Sequence, residues 1–523
     1  MNIFLEELLA GRVLRMESAE GDVGYAVKTG QGVLVIDPPE GSRTETLKDW
    51  GWGVPSAVVV THVQREHLAG VFPGVPLWVS AGDALLCEGL EACWKRVGRW
   101  PEPWEWETRG NYPGHLAGAM NERPPMEPRR IAGTLKEGDA FFGFRVMATP
   151  GHGKSAITLR GDVRGAEVAF CGDLAFAGGR LWNWFDCDWD YGLEGGQRTL
   201  LESVRKLAST SPTLLLPSHG SPETRAMDCL ASLAARLESV LVPEGSDNGV
   251  AINFPERDSP APGFRQLSPH IHQWRSGNTI LIVSDAGRAI VIDDGLCQWL
   301  PIPERIEAHD RVFAQASEAL RIISWDYIIP THYHGDHIEM IPRLRERTGA
   351  RVICLDSLSD LLENPDSRNL ASSLPWYGAA ADRLQIDVRV PEGHVVVWEG
   401  MELEFFHLGG QTTHHLGIRT HMDGELVVIA GDAWWGTSAQ PGPVLCWNEA
   451  EPRTQGWIYA LDRLLGCRPD LLVCGHGSAI RAPLPLLEEA MGRWQEKLKR
   501  FESLNAQSDS HSFFNPFRND DHR

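Results

Sequence analysis

Four segments of this chain occur twice, in the same order, once in each half. Residues 32–37 match 288–293, and 58–62 match 328–332; further on, 169–173 match 428–432 and 215–220 match 472–477. The spacings agree. His62 to Asp173 is 111 residues and His332 to Asp432 is 100; the next steps, to His219 and His476, are 46 and 44. Self-similarity on this scale means that one folding unit has been used twice. The first matched segments are apolar runs closed by Asp37 and Asp293, the pattern of a buried strand running into a turn. A chain of 523 residues also exceeds what one hydrophobic core usually serves. The expectation is two tandem α/β domains, residues 1–240 and 265–504. A linker covers 241–264, where Pro, Gly, Ser and Asn collect. A polar, disordered tail covers 505–523. Residues 457–465 and 486–504 carry helical apolar spacing.

Composition narrows the class. Hydrophobic residues make up 42% and charged residues 23%, the balance of a globular protein. No run of about 18 apolar residues occurs, so no membrane span is expected. Glu6 and Glu7 stand where a signal peptide would be basic, which leads us to expect a cytoplasmic protein. The 10 Cys include no C-x-x-C pair and read as reduced packing residues, Cys171 and Cys474 among them. A net charge of −21 without a dense basic run makes nucleic acid an unfavourable partner. Of the 20 Trp, Trp94, Trp100, Trp104, Trp106, Trp182, Trp184 and Trp189 read as packing. Trp434 and Trp435 follow Asp432 directly and read as an apolar wall for substrate.

His332, His334, Asp336 and His337 lie within six residues, just after an apolar strand. Three imidazoles and a carboxylate at a strand's end suit Zn²⁺ or a similar borderline metal, because alternate side chains can point at neighbouring ion positions. Asp432 and His476 each follow an apolar run as well, so ligand types converge at the carboxyl ends of strands.

With its later Gly-Asp and final Gly-His, the H-x-H-x-D-H set resembles the metallo-β-lactamase-fold superfamily. Pro150-Gly151-His152 resembles that family's third motif. The resemblance spans about residues 15–235 and 265–490. It implies two αββα sandwiches with metal at one edge of paired sheets. Carried over by motif, His332 and His334 serve one metal, Asp336, His337 and His476 serve the second, and Asp432 bridges. Asp336 would orient the nucleophile, a metal-bound hydroxide attacking a carbonyl or phosphoryl centre. The second half departs at Gln411, which falls where the third-motif His belongs. Either Gln411 lines the site, or His407, His414 or His415 replaces it, or the first metal keeps two histidines and extra water; by alignment His415 is a substrate-side residue. A harder site would suit Mn or Fe in place of zinc. In the first half Gln64 replaces the second His and Glu66 the Asp, while His62, His67, His152, Asp173 and His219 remain. That half reads as a degenerate copy, with an altered second metal site as the alternative.

The reaction class expected is hydrolysis of a small ester, thioester, lactone or amide. A tandem-domain nuclease is the first alternative, opposed by the acidic charge. An iron-dependent, sulfur dioxygenase-like oxidoreductase is the second. A non-catalytic binding protein is the third, opposed by the intact set at His332–His337. Oligomeric state is open.

Overall fold

The computed structural model describes residues 3–19, 21–63, 66–84, 87, 129–182, 195–241, 257–275, 277–295, 302–364, 383–436, 442, 453 and 456–504. Gln64, the linker core at 242–256, the tail at 505–523 and all the Trp named above except Trp182, Trp434 and Trp435 lie outside these residues. The chain forms two compact units.

The second unit contains an eight-stranded sheet, from Arg257–Asp258 to Val388–Val390, and a six-stranded sheet, from His394–Trp398 to Ile480–Arg481. Period-2 alternation explains how each strand serves two layers. In the strand Arg288–Ile292, Ile290 and Ile292 face the core between the sheets, while Ala289 and Val291 face a helical layer. In Glu425–Ile429, Val427 and Ile429 join that inter-sheet core, and Val428 turns to the helices Trp457–Cys467 and Leu484–Leu504. The four layers are therefore helix, sheet, sheet, helix, as expected from the resemblance.

The first unit repeats the plan with a seven-stranded and a five-stranded sheet. The pairings that matter recur one for one. Gly32–Ile36 runs parallel to Ala57–Val59, and Arg288–Ile292 runs parallel to Ser324–Ile329. Ala166–Gly172 runs parallel to Leu214–Pro217, and Glu425–Ile429 to Leu471–Val473. Each of these strands ends on a matched motif, so each unit gathers its motifs at one edge.

Two boundaries differ from the sequence reading. The second unit's sheet begins at Arg257–Asp258, inside the stretch read as linker, because Arg257 and Asp258 pair with Gln266 and Arg265. The helix Leu484–Leu504 begins in the second unit, yet residues 499–504 belong to the first. There the Leu181 amide donates to the Leu504 carbonyl at 2.8 Å. No helix among the described residues is long and apolar enough to cross a membrane.

Candidate metal centres

The second unit's cluster starts from a backbone device. Asp293 ends its strand with φ +57°, a left-handed conformation that Asp tolerates better than most residues. Its carboxylate accepts from the Thr331 amide at 2.7 Å and from the Thr331 hydroxyl at 2.8 Å. The same carboxylate lies 2.9 Å from Nδ1 of His337, turning Nε2 of that ring inward. The Thr331 hydroxyl is 3.0 Å from Nδ1 of His332. Asp37 does the same work for Thr61 in the first unit, at φ +46°. In the sequence both Asp residues read as strand ends with no part in the site; their recurrence at one place in both copies is the signal that marks them.

Around this frame the expected ligands converge. Nε2 of His337 lies 3.2 Å from Asp432 and 3.6 Å from Asp336. Nε2 of His476 lies 3.1 Å from Asp336 and 3.4 Å from Asp432. His332, His334 and Asp432 form a second group of convergent donors. Burial raises the cost of charge on Asp432, but His476 and His337 outweigh it and hold the carboxyl well below its usual range. Burial likewise opposes charge on His476, and the carboxylates Asp432 and Asp336 push it up to about 9. His332 goes the other way: burial and the neighbouring His337 hold it well below its ordinary value.

Those donors suit a cation. Nε2 of His332 is buried without a hydrogen bond, as are both amide atoms of Gln411. Buried polar atoms are rarely left so. The donors are nitrogen and oxygen, which Zn²⁺ and its neighbours accept. Binding a divalent ion would displace the protons that the carboxylates now draw onto His337 and His476.

Gln411 is fully buried, and His407 is engaged elsewhere, with Nε2 2.5 Å from the Thr413 carbonyl and Nδ1 3.3 Å from the Tyr459 hydroxyl. His415, the substrate-side candidate, is shut off from solvent, and neither ring nitrogen has a hydrogen bond. Its ring is fully buried and stacks on His332, with centroids 4.4 Å apart and planes 14° from parallel. Trp434 is corrected: it is fully buried in the core between the six-stranded sheet and its helices. The turn after Asp432 swings one indole inward and the next toward the site. Trp435 is the partly exposed one, with its ring 4.7 Å from His476.

Glycines fix the approach of these segments. A Cβ on Gly295 would meet the Asp336 carbonyl at 1.3 Å, and one on Gly475 would meet Oδ1 of Asp432 at 2.1 Å. Asn278 ties the same loop down, its amide donating to the Asp336 carbonyl at 2.6 Å.

In the first unit His62, His67, His152, Asp173 and His219 are all buried and together. One oxygen of Asp173 lies 3.4 Å from His67, 3.5 Å from His152 and 3.8 Å from His62. Its other oxygen is 2.8 Å from Nδ1 of His219. Glu66 sits in the short turn Glu66–Leu68, partly exposed. Cys171 and Cys474 are buried packing residues beside the two sites, their thiols pushed up by burial.

A family model described as the metallo-β-lactamase superfamily matches residues 23–219 and 272–476. The chain is 28% identical over 190 residues to a hydroxyacylglutathione hydrolase of Cupriavidus metallidurans, covering 35% of this chain and 57% of that protein. It is 23% identical over 224 residues to another of that name from Hamiltonella defensa, covering 40% and 66%. The chain thus spans less than two thirds of either relative's length. A solved subclass B3 metallo-β-lactamase of Bradyrhizobium japonicum aligns at 18% identity and TM-score 0.34, over 46% of this chain and 96% of that one.

Proposed function

The chain belongs to the metallo-β-lactamase superfamily in both halves, and from that premise we propose that it is a metal-dependent hydrolase of a small acyl substrate, with the chemistry in the second unit. The observation that carries this is the convergence of His332, His334, Asp336, His337, Asp432 and His476 on one strand edge. A thioester is the substrate class we favour, ahead of an ester, lactone or amide. The support is that both curated relatives are named as hydrolases of an acylated thiol. Zinc is the metal we favour, in one or two copies, and the cytoplasm the location.

When bound, the metal supplies Lewis acidity to the acyl carbonyl and acidifies its water. The rest falls to the chain's own groups. Asp336 has a side chain only 12% exposed, with Oδ2 held 3.1 Å from His476. In this reading that oxygen takes a proton from the attacking water and returns it to the leaving group. Trp435 beside His476 offers an apolar wall that excludes solvent.

The test is metal analysis of the purified chain, followed by zinc-loaded assays on thioester, ester, lactone, amide, β-lactam and phosphodiester probes. Zinc uptake with thioester hydrolysis is the expected result. Turnover of the phosphodiester alone would overturn the acyl reading and restore the nuclease.

A further inference from the structure

Asp22 belongs to none of the matched motifs, yet it reaches the first unit's cluster. Its Oδ1 lies 3.3 Å from Nε2 of His219, whose Nδ1 lies 2.8 Å from Asp173. The contact is anchored on both sides. The Ser18 hydroxyl donates to the Asp22 carboxylate at 3.0 Å and accepts from the Asp22 amide at 3.1 Å. Asp22 and His219 also form a backbone bridge, and the Val23 amide donates to the Ser218 carbonyl at 2.8 Å. Trp182 stacks on the His219 ring at 4.5 Å and 11°, which fixes the ring plane.

Among the described residues of the second unit, the matching position offers no carboxylate. Tyr25 pairs with Ile36 and Ile280 pairs with Ile292, the residues just before the matched Asp37 and Asp293. Counting back three positions from Tyr25 reaches Asp22; counting back three from Ile280 reaches Gly277. In that unit Asp336, from the first motif, holds the final histidine, and it holds Nε2. The two units therefore turn their last histidine in opposite senses. His476 directs Nε2 at the carboxylates of its cluster, whereas His219 directs Nδ1 at Asp173 and gives Nε2 to Asp22.

We propose that Asp22 is a positioning residue for a cation site of the first unit's own, in which His67, Asp173 and Nδ1 of His219 are the ligands. A ligating histidine commonly donates its other ring N–H to a carboxylate, which fixes ring and tautomer. Asp22 supplies that carboxylate from outside the motif whose Asp has become Glu66. Oδ2 of Asp173 and Nε2 of His67 face each other at 3.4 Å, both buried and neither in a hydrogen bond. A divalent ion between them would draw on both. On binding, the Nδ1 proton of His219 leaves to solvent, while the Nε2–H stays on the ring and is donated to Asp22.

The experiment uses the full chain carrying Asp432→Ala, which disables the second unit's bridging ligand. Its failure is separate from failure of the hydrolase reading, because no activity is measured. After chelator dialysis the protein is titrated with Co²⁺, and visible absorption and bound metal are recorded. About one equivalent should bind, and Asp22→Ala in that background should weaken binding about 10–100-fold. Asp22→Asn, whose amide oxygen still accepts the Nε2–H, should stay within a few-fold of the parent. Absence of Co²⁺ binding would leave an ion-pair network only and overturn the proposal. Unchanged affinity and spectrum in Asp22→Ala would overturn it equally. If that variant does not fold, nitrogen NMR of the cadmium-loaded parent decides: coupling at Nδ1 of His219 supports the proposal, and coupling at Nε2 overturns it.

Discussion

At the residue scale, two neighbours with the same side chain have opposite fates. Trp434 is fully buried among Ala460, Leu461 and Leu464, whereas Trp435 is partly exposed beside His476. Trp434→Ala should therefore cost about 3–5 kcal/mol of stability, the usual range for a large core aromatic. Trp435→Ala should leave thermal stability near the parent's and raise KM. Denaturant melts with steady-state kinetics separate the two. Asp336→Asn should lower kcat about 10²–10⁴-fold, the range for losing a general acid–base group. A different histidine reports on pH. Burial, reinforced by the charge of His270, lowers His272 from 6.5 to about 4. Its folded pKa is depressed, so its neutral ring contributes stability that is present above pH 6.5 and lost as pH falls through about 4. Asn at position 272 removes that titration. Thermal melts of the metal-free chain from pH 7 to 4 should show a smaller drop for His272→Asn than for the parent; equal drops would contradict the assignment.

At the element scale, the strands were legible because their pattern is strong: apolar runs closed by Asp, repeated in both halves. The helices Trp457–Cys467 and Leu484–Leu504 were legible from 3.6-residue spacing. What the sequence hid depends on neighbours distant along the chain. Periodicity does not show which of Trp434 and Trp435 turns inward, since that is set by the short turn Gly431–Ala433. Asp22 reaches His219 across 197 residues, and no local motif marks it. The edge strand Arg257–Asp258 is two residues long and polar, so it looked like linker. Gly295 is a further case, being defined only by the loop that crosses it. Gly295→Ala must push the Asp336 carbonyl away from a Cβ at 1.3 Å. Overpacking of this kind costs about 1–3 kcal/mol. Because the displaced loop carries Asp336 and His337, the second unit should also lose metal affinity while its sheets persist. Metal titration beside circular dichroism is the check: full affinity in the variant would mean that the loop is not set by this contact.

At the scale of the whole molecule, the question is why the chain carries two copies with unequal motifs. Each unit keeps a buried set of histidines around a central Asp, so neither has drifted to an apolar core. Replacing buried ion pairs such as His219–Asp173 by well-packed apolar residues is often neutral or stabilising, so stability alone does not call for either set. The departures are complementary: the second unit keeps the first-motif Asp336 but has Gln411, and the first unit keeps His152 but has Glu66. The carboxylate proposed to orient the nucleophile is intact in one copy only. A longer Glu side chain places its oxygens differently, and small misplacements are costly in catalysis. Hydrolysis should therefore reside in the second unit even if both units hold metal. Asp336→Ala should abolish turnover of whichever acyl substrate the panel reveals, while Glu66→Ala should stay within a few-fold of the parent in kcat/KM. Both are measured on the zinc-loaded full chain, with metal content read in parallel so that loss of ion and loss of chemistry stay distinct. Equal losses from the two changes would mean that the units share one catalytic task, and the division of roles between them would have to be abandoned.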